Sequence, residues 1–142
     1  MTHRNLYQSG LHSVGNYQVS GIPWVSGSIP NCKAVGIPFR IQFPSVTRWI
    51  IVKNRDDSTT TSDMVVAFSE NGLPSKGGTN YYKLHDPGAG LIDQTRRLEL
   101  KVSEIWMEGV GNGSELFDVI AGLTGIPTTE IIDNWSGSAG VG

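Results

Sequence analysis

LELKVSEIWM, residues 98–107, is the stretch whose reading decides the fold. Leu98, Leu100 and Val102 alternate with Glu99, Lys101 and Ser103. A period of two marks a strand with one buried and one wet face. On a helix, with its repeat of about 3.6, the same three apolar side chains would scatter around the axis. At Ile105 and Met107 the apolar phase slips from even to odd positions. One extra residue around Ser103 and Glu104, a β-bulge, keeps both sets on one core. A long bulged strand needs partners on both edges and a second layer over its apolar face.

Working outward, residues 37–43 (IPFRIQF) alternate Ile37, Phe39, Ile41 and Phe43 with Pro38, Arg40 and Gln42. Pro38 cannot donate to a ladder and marks a strand start or an edge. Residues 46–53 (VTRWIIVK) carry Trp49 and Ile51 on one face and Ile50 and Val52 on the other, which predicts a central strand with its second face against a neighbouring element. Residues 64–69 (MVVAFS) read as a strand ended by the Asn71-Gly72 turn signal. Residues 79–84 (TNYYKL) read as a short aromatic strand, followed by the turn DPGAG at 86–90. In residues 116–125, Phe117, Val119, Ala121 and Leu123 alternate. A helix N-capped at Ser114 competes there, but Gly122 and the strict alternation favour a strand. Residues 126–133 are a short extended or helical piece, and residues 134–142 (NWSGSAGVG) a small-residue tail.

The first 34 residues are poor in charge and rich in Gly, Ser and Pro, with Tyr7, Tyr17 and Trp24 set among them. We read residues 1–34 as an extended arm lying on the domain or on a neighbour, and residues 35–142 as the folded domain. The alternative is a first strand preceded by a terminal segment. With 142 residues the chain suffices for one domain. Its 18 Gly and 7 Pro are spread along it as punctuation, which fits an all-β domain with many turns. Charged residues are 17% of the chain, fewer than the usual ~25%. Such a surface is either covered by neighbouring subunits or solvated by small polar groups.

A net charge of −2 argues against a dedicated nucleic-acid binder, whose affinity comes largely from basic side chains on phosphates. The single cysteine, Cys32, excludes an intramolecular disulfide framework. No apolar run approaches a membrane span, and the start MTHRNLYQSG lacks a signal-peptide core. The expectation is a protein made and folded in the cytoplasm, without direct membrane insertion.

Signatures of chemistry are sparse. His3, His12 and His85 are scattered, with no metal-ligand spacing among them or with Cys32. Lys33 beside Cys32 could lower the thiol pKa, but no histidine lies near in sequence. Asp56, Asp57 and Asp63 lack the spacing of a calcium loop. Glu99, Glu104, Glu108, Glu115 and Asp118 offer carboxylates without a paired arrangement. GVGNG at 109–113 is not a phosphate-binding loop, since no Lys follows. No catalytic residue, cofactor or metal is expected. Four tryptophans stand out instead: Trp24, Trp49, Trp106 and Trp135. Trp106 lies on the opposite face from Ile105 and Met107, outside the main core. An exposed Trp costs free energy unless covered, and aromatics are enriched where partners bind. Tyr17, Trp24, Trp106 and Trp135 are therefore candidate subunit-interface residues, with cover of Trp106 by the chain's own arm as the alternative.

About eight short strands broken by Gly, Pro and Asn turns form the pattern of a jelly roll or a related β-sandwich. Residues 37–54, 65–72, 80–84, 98–107 and 119–126 with the Gly/Ser tail resemble the single jelly-roll capsid proteins of icosahedral double-stranded DNA viruses, the penton or vertex proteins above all. The resemblance covers residues 35–142. It implies an eight-stranded single jelly roll, no enzymatic activity, and five copies closing around a vertex of the virion. It also implies arms that reach neighbouring major or minor capsid proteins. A minor cement protein and a phage head or tail component are the nearby variants. A carbohydrate-binding, lectin-like sandwich, in which Trp and Tyr stack on sugar rings, is the alternative outside this group. A cupin-type enzyme would need clustered histidines, and the sequence offers no such cluster.

Overall fold

The computed structural model describes residues 21–29, 37–55, 63–85, 93–110 and 116–131. The described chain is all-β, with eight strands: β1 (Ile22–Ile29), β2 (Phe39–Gln42), β3 (Thr47–Asn54), β4 (Met64–Ala67), β5 (Tyr81–Leu84), β6 (Asp93–Gln94), β7 (Glu104–Gly109) and β8 (Phe117–Leu123). They form two antiparallel sheets, one in the order β1-β8-β3-β6 and the other β2-β7-β4-β5. In the first sheet three strands are long, and β6 adds only two residues at its edge. The first four strands pair with the last four in reverse order: β1 with β8, β2 with β7, β3 with β6 and β4 with β5. The pairings β3·β8 and β4·β7 join these four ladders into the two sheets.

Alternation puts one face of each sheet inside. Phe117, Val119, Ala121 and Leu123 of β8 are all buried, as their spacing predicts, and meet Ile50 and Val52 of β3. The facing layer is Ile41, Met64, Val66, Leu84, Ile105 and Met107. Edge-to-face aromatic contacts cross between layers: Trp24 with Phe43 at 4.9 Å and Phe39 with Phe117 at 6.1 Å. Full burial of one such aliphatic or aromatic side chain contributes about 1.5–3 kcal/mol.

Residues 98–107 are not one bulged strand. Leu98 exchanges both backbone hydrogen bonds with Ile50 of β3, each 2.9 Å, so this half runs in the first sheet, following β6. Beyond Val102 the chain leaves β3 and enters the second sheet as β7, paired with β2 and β4. The phase slip marks this change of sheet. Strands turn such corners by bends or bulges, and apolar groups on either side point into the same core because each sheet turns its inner face to the other. Thr47 holds the corner. Its hydroxyl donates to Leu100 O at 2.7 Å and accepts from Val102 N–H at 3.2 Å.

Two further expectations change. β1 pairs with β8 from Ile22 to Ile29, with a register irregularity between Ser26 and Ile29. Residues 22–29 therefore belong to the sandwich rather than to an arm; residues 1–20 and 30–34 lie outside the described residues. Asn71-Gly72 is not a two-residue hairpin turn. It lies in a 3-10 turn, Glu70–Gly72, capped by Ser69 Oγ accepting from Gly72 N–H at 3.1 Å. A second 3-10 turn, Pro74–Lys76, follows and ends at Gly77 with φ 76°, a left-handed conformation that glycine adopts without a Cβ clash. Residues 69–78 thus make a strap between β4 and β5. A third such turn is Thr128–Glu130.

Candidate interaction surfaces

The strap explains Trp106. Its side chain lies on the outer face of β7, opposite the sandwich core as the sequence predicts, and packs with Val65, Ala67 and Leu73 in a second, smaller apolar cluster. Leu73 comes from the strap and is fully buried. The cover on this side of Trp106 is therefore the chain's own β4–β5 connection, a segment where the sequence shows only the Asn71-Gly72 turn signal. Its one large apolar residue, Leu73, was the available signal. On the other side lies Arg40 of β2, directly opposite Trp106 in register. Its guanidinium sits 5.5 Å from the Trp106 ring centroid. Arg40 Nε donates to Glu104 Oε2 at 2.6 Å, and Trp106 Nε1 donates to Glu104 Oε1 at 3.1 Å. Each carboxylate oxygen of the buried Glu104 is thus engaged by a donor, which offsets the cost of removing the charge from water. Glu108, also buried, accepts from the Ser75 hydroxyl at 2.7 Å and so ties the strap to β7. These carboxylates brace the outer face of the second sheet.

Trp24 is half-buried on β1, with its ring turned inward onto Phe43. The structure does not bring Trp24 and Trp106 together: one lies on the inner face of the first sheet, the other on the outer face of the second. Tyr17 and Trp135 lie outside the described residues, as do His3, His12, Cys32, Asp56, Asp57 and Glu115. His85 lies beyond β5, with Nδ1 3.7 Å from Asp63, which also pairs with Lys83 at 2.6 Å. Among the described residues no three His, Cys, Asp or Glu side chains are grouped to hold a metal ion.

Two surfaces that the sequence did not single out emerge instead. The first is the outer face of the first sheet. Register places Val25 of β1 beside Ile120 of β8, and Ile120 beside Ile51 of β3. This makes an apolar row across three strands. Val25 is 71% and Ile120 41% exposed. The next row is Pro23, Gly122 and Trp49. The indole of Trp49 lies against Gly122 and carries the Arg97 guanidinium at 5.3 Å from its ring centroid. Toward the other end, Arg55 pairs with Asp118 at 3.4 Å, and Lys53 stands opposite Asp118 in register. Ile120, out of phase with the buried set of β8, was the visible signal. A cross-strand apolar row left in water is the kind of feature that marks a contact surface.

The second surface is a cleft of about 530 Å³ beside the edge strand β5, lined by Val66, Phe68, Thr79, Asn80, Tyr81 and Tyr82. Tyr82 pairs with Val66 and shares its inner sheet face, yet it is 56% exposed; Tyr81 is 40% exposed. Val66 is buried and Phe68 packs against the core, so the floor of the cleft is the margin of the core itself. In comparisons with known proteins, no family model, no curated protein and no solved structure matches this chain.

Proposed function

We propose that the chain is a structural, non-catalytic subunit of an icosahedral virus shell, folded as a single jelly roll and assembling as a penton: five copies around a vertex, in contact with neighbouring capsid proteins. The strand order supports the fold part of this reading. Strands one to four pair in reverse with strands five to eight across two four-stranded antiparallel sheets, a pairing that fits an eight-stranded, double-Greek-key jelly roll. A fold alone does not assign a function.

The observation that carries the assembly part is the row Val25–Ile120–Ile51. The exposed parts of Val25 and Ile120 gain nothing inside the subunit, and a neighbouring copy that covers them recovers, in proportion to their exposure, about 1–2 kcal/mol for Val25 and about 0.6–1.2 kcal/mol for Ile120. A ring requires heterologous contacts, so this row meets a different patch on the next copy. The charged pair Arg55–Asp118 at one end gives the row a polar margin, as subunit interfaces have. Sedimentation velocity or native mass spectrometry of the full chain tests the reading: a five-copy species supports it, and a monomer at every concentration refutes it.

A further inference from the structure

We propose that the cleft beside β5 is a binding site for a neutral sugar ring, independent of assembly. Its volume lies in the range of small-molecule sites, about 300–1,000 Å³. Its described lining combines two kinds of group. Val66 and Phe68 make an apolar floor, and Tyr82, on the same inner face, adds an aromatic ring with a hydroxyl tip, while Tyr81 borders the cleft from a position paired with Ala67 of the outer face. Thr79 and Asn80 bring a hydroxyl and a carboxamide, groups that both donate and accept. None of the described lining residues is charged.

That composition selects the ligand. An anion or cation would give up hydration with no opposite charge among the described lining residues to meet it. A purely apolar ligand would cover Thr79 and Asn80 without giving them hydrogen-bond partners, which costs about 1–3 kcal/mol per group left unmade. A pyranose ring satisfies both demands: its C–H face lies on an aromatic ring, and its hydroxyls meet the amide and the two kinds of hydroxyl. Tyrosine suits the role because it presents a large amphipathic surface while ordering only two side-chain torsions. The inner-face position of Tyr82, paired across from Val66, fixes its ring beside the apolar floor. The cleft is at the edge of the second sheet, whereas the apolar row is on the outer face of the first, so one surface can fail its test while the other passes.

The experiment is a titration of the isotope-labelled full chain with glucose, galactose, mannose and N-acetylglucosamine, followed by amide chemical shifts and saturation-transfer difference spectra. N-acetylneuraminic acid serves as the anionic comparison. At least one neutral sugar is expected to move the amides of Asn80, Tyr81 and Tyr82 with a dissociation constant of order 1 mM. Tyr82→Ala is expected to weaken that binding about tenfold, while Tyr82→Phe keeps the ring and stays within about threefold. Asn80→Ala, at an exposed position, provides a second variant that loses binding without touching the core. The proposal is overturned if no neutral sugar shifts these amides, if the anionic sugar binds more tightly, or if folded Tyr82→Ala and Asn80→Ala bind as the parent does.

Discussion

Replacing Gly122 by alanine tests the packing of the first sheet at its tightest point. Gly122 stands opposite Trp49 across the β3–β8 ladder. A Cβ built there lies 2.7 Å from Trp49 Cε2 and 3.0 Å from Cδ1, so the indole has to move. Overpacking of this kind costs about 1–3 kcal/mol. Displacing the indole from under Arg97 removes a cation–π contact worth about 0.5–1 kcal/mol at an exposed site. Against these stands the removal of a glycine from a strand interior, which returns about 0.5–1 kcal/mol. The net expectation is a loss of roughly 1–3 kcal/mol, or a fall in Tm of roughly 3–10 °C for a domain of this size. Guanidinium unfolding followed by far-UV circular dichroism reads the change without relying on the tryptophan signal. In a Trp49→Ala background the clash is absent, so Gly122→Ala becomes neutral or stabilises by about 0.5 kcal/mol. The double-mutant cycle then reports a coupling of about 1–3 kcal/mol. If Gly122→Ala costs the same in both backgrounds, the β3–β8 register described above is wrong.

Glu104→Gln leaves one acceptor oxygen where Arg40 and Trp106 each need one, and turns an amide donor toward the other; a loss of about 1–3 kcal/mol is expected, with a shift in tryptophan emission in the folded state. Leu73→Ala empties the small cluster under the strap and is expected to cost about 2–5 kcal/mol by denaturant titration, with amide exchange speeding first in residues 69–78. Thr47→Val keeps the shape of the side chain but removes the hydroxyl that serves Leu100 O and Val102 N–H; a loss of about 1–3 kcal/mol is expected, against almost none for Thr79→Val on the exposed rim.

Alternation made most of the fold legible. The inward sets of β2 and β8 follow from period two, because in a two-layer sandwich every second side chain must leave water. In contrast, β3 and β4 are apolar on both faces and show themselves as strands without saying which face turns inward. Residues 98–107 mark where that reasoning stops. A bulge within one strand and a crossing between two sheets both shift the phase by one and both keep Leu98, Val102, Ile105 and Met107 turned inward; only the hydrogen bonds to Ile50 on one side and to β2 and β4 on the other separate them. β6 escaped notice because Asp93 and Gln94 are held by backbone pairing to Asn54 and Lys53, which leaves no mark on composition. The same limit applies to the surfaces. That Trp106 meets Leu73, or that Val25, Ile120 and Ile51 form one row, depends on which strands are neighbours. Pairing partners up to about a hundred positions apart leave no trace in a local pattern. The tyrosine cleft exists because β5 is an edge strand, a property of topology rather than of TNYYKL itself.

The account rests most heavily on the exposed row of the first sheet being a contact between copies, and sedimentation velocity on matched samples measures that directly. The parent chain is compared across a concentration series with the double variant Val25→Lys, Ile120→Lys, which places two charges on the row while leaving the buried set of β8 intact. The prediction is a five-copy species for the parent that dissociates to folded monomer in the variant, with the Tm of the isolated subunit unchanged within about 2 °C. A parent that stays monomeric throughout, or a variant that assembles as well as the parent, contradicts it.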